Sequence, residues 1–128
     1  MRRVVFIRSV KNMKVSEAII RADVIRPNKA QSEDKARWLM RLEADFAEMM
    51  GESTPVYDAG TMQRDLLLPF PYDECYPLYL AAQIDARANH DADLYTADKQ
   101  MADDAIASAK AWYRRNNRPE NSGQWKVL

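Results

Sequence analysis

Residues 66–71 read Leu-Leu-Leu-Pro-Phe-Pro, the most apolar run in the chain. Pro69 and Pro71 fix φ and lack an amide hydrogen. No helix runs through them, and a central strand is disfavoured. Three leucines held extended must cover a core or pair with another chain. The run therefore reads as a buried, extended lead-in between two stretches of helical patterning.

Two helices are expected before it. Over residues 15–26, Val15, Ala18, Ile19 and Ala22 fall on one face. Ser16 suits the N-cap, Glu17 the first turn and Arg26 the C-terminal end of the dipole, and Pro27-Asn28 stops the helix. Over residues 33–50, Trp38, Leu42, Phe46, Met49 and Met50 form a stripe, with Leu39 beside it. Ser32 suits the cap, Glu33 and Asp34 load the first turn, and Gly51 follows the last. Arg37, Arg41, Glu43 and Glu48 lie largely off that stripe. Residues 51–65 form a polar connection with Pro55 and Gly60 and no period, either a contact element or a flexible insertion.

Two more helices follow. Residues 73–89 open with Asp73 as a cap and tolerate Pro77 in the first turn. Tyr76, Leu80, Ile84 and Ala88 make the stripe, and a break falls near Asn89-His90-Asp91. Over residues 94–116, Leu94, Met101, Ala105, Ala109 and Trp112 form one row and Ala102, Ile106 and Tyr113 the next. Small residues in such rows let helices approach closely. Pro119 ends the pattern. The expectation is an all-α fold, a single small bundle of about four helices with an extended Pro-containing segment before the third helix. It occupies residues 13–119. Residues 1–12, basic and β-branched, form an extension, either a docking arm or an appendage with Met13 as a second candidate start. Residues 120–128 form a tail.

Composition narrows the function. A chain of 128 residues predicts one domain. Lys+Arg and Asp+Glu both number 19, so there is no global basic field for nucleic acid. With 3 Gly, phosphate-cradling loops are disfavoured. A single Cys excludes an internal disulfide, and a single His excludes a multi-His metal site. No stretch approaches ~20 apolar residues, and the apolar run Val4-Val5-Phe6-Ile7 falls short of a signal-peptide core, which points to the cytosol.

No catalytic constellation emerges, so the expectation is no enzyme, no metal and no cofactor. Cys75 near a helix start would have its thiol pKa lowered by the dipole, but it has no His partner by sequence. His90 reads as a turn residue. Asp85, Asp91, Asp93, Asp98, Asp103 and Asp104 read as a solvated helix face, without the Gly and terminal Glu of a calcium loop. Arg114, Arg115 and Arg118 beside Trp112-Tyr113 read as a dipole complement or a protein contact. Tyr57, Tyr72, Tyr76, Tyr79 and Tyr95 gather around the Pro-containing segment, as core or as an assembly surface.

Three blocks together resemble a known family. They are Met13-Lys14-Val15-Ser16-Glu17-Ala18-Ile19 continuing through Arg26-Pro27-Asn28; Asp34-Lys35-Ala36-Arg37-Trp38-Leu39; and Leu67-Leu68-Pro69-Phe70-Pro71-Tyr72-Asp73-Glu74-Cys75-Tyr76 with Gln83-Ile84-Asp85 and Trp112-Tyr113-Arg114-Arg115. The chain resembles the head–tail connector, or adaptor, proteins of the necks of tailed phages and prophages. It departs from them at Tyr95-Thr96-Ala97-Asp98, where a Tyr-Asn-Asn-Ser-like turn is expected, in a divergent and shortened loop at 51–65, and in its extra residues 1–12. The resemblance implies a structural protein that forms a ring of about twelve copies beneath the portal. Such a ring extends the DNA channel and docks the next neck or tail component. It implies a place in the host cytoplasm during assembly and in the virion neck afterwards. Its partners would be further copies of itself, the portal and the next neck protein, with DNA only passing through and no membrane involved. The candidate contacts are Tyr57, Leu66, Leu67, Phe70, Tyr72, Arg114, Arg115 and Arg118. The alternative is a small helical regulatory protein that binds another protein as a monomer or dimer.

Overall fold

A computed structural model describes residues 12–117; Arg118, the tail and the extension before Asn12 lie outside the described residues. Four α-helices follow in order: α1 (Val15–Ile25), α2 (Ser32–Met50), α3 (Cys75–Ile84) and α4 (Ala92–Asn116). No strand occurs among the described residues. The fold is a small all-α bundle. No helix among them is long and apolar enough to cross a membrane.

Each helix is placed by the stripe its sequence carries. Val15, Ala18, Ile19 and Ala22 of α1, Ala36, Leu39, Leu42 and Phe46 of α2, and Cys75, Tyr76, Leu80 and Ile84 of α3 form one buried cluster. From α4 only Ala109 joins it fully, while Ala105, Ile106 and Trp112 pack partly against it. Small residues at 102, 105 and 109 let α4 lie close along α3, its main packing partner. Trp38, read as the head of the α2 stripe, is only half-buried. It faces an open groove of about 720 Å³ between Pro27, Lys29 and Ala88, and the Arg87 guanidinium lies 5.7 Å from its ring centroid.

The helix ends differ from expectation in instructive ways. α1 begins one residue before Ser16, because the connection from α2 supplies acceptors for its first amides. Val15 donates to the Arg64 carbonyl at 3.0 Å and Ser16 to Met62 at 2.8 Å. Lys14 meets Asp65 in an isolated antiparallel bridge, and Leu66 donates to the Met13 carbonyl at 2.8 Å. Residues 51–65 are thus a built connection whose carbonyls satisfy the orphan donors of a helix start. Ser32 likewise begins α2 with no side-chain cap at the preceding Gln31. Gly51 ends α2 with φ 74°, the left-handed conformation that suits glycine. Asp73 does not cap α3; it is buried in a 3₁₀ turn, Tyr72–Glu74. Asp91 caps α4 by accepting from the Leu94 amide at 3.0 Å.

The expected third helix changes winding. α3 is regular to Ile84, then a π turn runs over Asp85–Asn89 and His90 reverses the chain at φ 53°.

Candidate assembly surface

The extended segment 66–71 has no sheet to satisfy it, and a buried node around one carboxylate takes its Leu67 and Leu68 amides. Glu43, whose place off the α2 stripe gave no sign of burial, is wholly buried. Its Oε1 accepts from the Tyr76 hydroxyl at 2.6 Å. Its Oε2 accepts from the Tyr57 hydroxyl at 2.6 Å and from the Leu67 amide at 3.0 Å. The Tyr76 hydroxyl in turn accepts from the Leu68 amide at 3.1 Å. Burial pushes the Glu43 carboxyl above its ordinary range, and the three donors pull it back toward the anion. The Tyr57 and Tyr76 hydroxyls are pushed up by burial first, then by the Glu43 charge. A spacing rule for apolar residues carries no trace of this node.

The node divides the expected contact residues. Tyr57 and Leu66 are 3% and 1% exposed, so as partner contacts they are corrected to core residues: Glu43 and the apolar cluster hold their side chains. Leu67 is half-buried. Phe70 is 67% exposed. Tyr72 stacks on Trp112 of α4, centroids 4.6 Å apart and planes at 16°, and Trp112 meets the Tyr113 ring edgewise at 6.3 Å. The stack brings the Pro-containing segment against the C-terminal end of α4. There Arg114 and Arg115 stand exposed and make no ion pair among the described residues. Phe70, Tyr72, Arg114 and Arg115 therefore belong to one end of the molecule. Arg118 lies outside the described residues.

α4 is dipolar in its surface charge as well. Asp93, Asp103 and Asp104 are exposed toward its N-terminal half, beside Leu94 and Met101, which are also exposed. Lys99 pairs with Asp103 at 2.7 Å. On α1, Ile20 and Val24 form a further exposed apolar ridge.

The groups weighed for chemistry fare differently. Burial pushes the Cys75 thiol well up, and the Glu43 and Asp73 charges push the same way, which opposes any dipole effect. His90 is the expected turn residue. Among the described residues, no group of three or more His, Cys, Asp or Glu side chains could hold a metal ion. The reading of the aspartates as one solvated face is corrected for two of them. Asp85 and Asp98 are buried, both against Arg26 at the end of α1.

No family model, curated protein or solved structure gives a significant match to the chain.

Proposed function

We propose that the chain is a structural neck protein of a tailed phage or prophage, an adaptor that assembles head-to-tail into a ring beneath the portal. The observation that carries this reading is the cluster at one end of the molecule, where exposed Phe70, Arg114 and Arg115 surround the half-buried Tyr72–Trp112 stack. Aromatic residues and arginine are the types enriched at protein interfaces and their hot spots. The cluster is built from the same Pro-Tyr-Asp-Glu and Trp-Tyr-Arg-Arg blocks that carry the family resemblance.

A ring needs two different, complementary flanks on each subunit. The arginine end of α4 and its acidic N-terminal half offer such a pair. Both lie on one 25-residue helix about 37 Å long. Leu94 and Met101 add apolar area beside the acidic flank. A formal net charge of zero suits a channel through which DNA slides.

The test is assembly of the chain alone and on its portal, in the wild type and in Arg115→Glu. Assembly lost in the variant, with its fold intact, supports the reading. A variant that assembles like the wild type removes the arginine end from it.

A further inference from the structure

Where α3 winds into the π turn and the chain reverses into α4, side chains from three distant stretches meet out of water. The Asp85 side chain is 0% exposed, Asp98 11% and Arg26, at the end of α1, 23%. Arg26 Nε lies 2.9 Å from Asp98 Oδ2 and 3.3 Å from Asp85 Oδ1. Arg26 Nη2 donates to Asp98 Oδ1 at 3.0 Å. One guanidinium thus faces two carboxylates. Among the described residues, neither Asp85 oxygen, nor Asp98 Oδ2, receives a well-directed hydrogen bond. The contrast with Glu43 is direct, since that buried carboxylate has three donors. An anion without donors in the interior is costly, and its neutral acid is not.

Among the described residues, Arg26 is the one Lys or Arg side chain that pairs with these two carboxylates. His90 and Asp91 from the turn and Tyr95 from α4 line a 290 Å³ cavity with Asp85. Asp91 adds negative charge. Arg87, on the same turn, is held over the Trp38 ring.

We propose that this cluster is a proton-binding site in which Asp85 and Asp98 share one proton beneath Arg26. With the proton bound, the cluster is neutral: one guanidinium, one carboxylate and one acid that donates to its neighbour. Without it, one negative charge is left buried and unpaired.

The direction of titration agrees with the geometry. Asp85 is pushed up to about 7, by burial first and by the Asp98 carboxylate next, against the opposing Arg26. Its ordinary value is 3.8. The folded chain therefore holds a proton that the unfolded chain has lost. The resulting stabilisation is complete below 3.8 and falls away as pH rises through about 7. The device is a property of the fold and stands or falls apart from ring assembly.

Thermal unfolding of the full chain and of Asp85→Asn, from about pH 5 to about pH 8, tests it. Asparagine supplies the neutral form permanently. The variant is expected to melt about 5 °C above the wild type at the alkaline end and to show a shallower fall across the range. A variant that melts below the wild type by the same margin at both ends overturns the proposal. Carbon-detected NMR titration of the aspartate carboxyls in the wild type gives a readout that does not depend on the variant folding. A midpoint above about 6 at Asp85 or Asp98 supports the shared proton; midpoints for both below about 5 overturn it.

Discussion

Glu43 and Tyr76, 33 residues apart, are joined by a 2.6 Å hydrogen bond inside the apolar cluster. Through it, α2 grips the start of α3, and the Leu67 and Leu68 amides of the extended segment are satisfied without a sheet. Glu43→Ala removes the acceptor for two buried hydroxyls and one amide at once. A loss of about 3–5 kcal/mol is expected, since three neutral donors lose their acceptor at about 1–3 kcal/mol for each left unsatisfied. Urea unfolding measures it. Tyr57→Phe removes one donor and should cost about 1–3 kcal/mol.

The same node has a pH signature. The Glu43 carboxyl is raised above its ordinary value, so its contribution to stability is complete below that value and declines as pH rises. Glu43→Gln should flatten that part of the decline. Melting curves of the variant and the wild type, compared at mildly acid and mildly alkaline pH, check the direction.

Leu39 and Trp38 are neighbours in sequence with unequal burial. Leu39 is 0% exposed, whereas Trp38 lines an open groove. Leu39→Ala is expected to cost about 2–5 kcal/mol. Trp38→Ala should cost less, despite the larger residue. Denaturant midpoints with equal slopes decide the order.

The Cys75 thiol is buried and its pKa is raised, so its thiolate is scarce at neutral pH. A thiol reagent such as dithionitrobenzoate is expected to react slowly with the folded chain and fast in denaturant. Rapid reaction in the folded state would reveal an accessible thiolate and contradict the burial.

The helices were legible because their stripes recur at helical spacing, and Pro27, Gly51 and the pair Pro69 and Pro71 punctuate them. The ends were less legible. The capping role given to Ser16 belongs instead to the Met62 and Arg64 carbonyls, nearly 50 residues away, and no local rule holds that information. Phe70, Tyr72 and the two described arginines were legible as surface candidates from residue type. Tyr57 and Leu66 were not separable from them, because Tyr57 is held by Glu43, a charged residue that pattern reasoning places outside, and Leu66 by the distant Met13 carbonyl. The Arg26–Asp85–Asp98 cluster was hidden for the same reason. Arg26 reads as a dipole complement to its own helix until the fold brings Asp98, 72 residues on, within reach.

Arg115→Glu separates folding from assembly. Arg115 is exposed, so the monomer should melt within about 0.5 kcal/mol of the wild type. Its association should weaken, because the charge would then repel an acidic flank. Circular dichroism melts and light scattering on the same samples read the two effects.

The most direct test of the adaptor reading is to mix the chain with the portal protein encoded in the same genome. Light scattering and negative-stain imaging would follow the product. The account predicts that the chain joins the portal and adds a closed ring of about twelve copies to one end. A chain that stays at its free mass at every concentration, and leaves the portal rings bare, would contradict it.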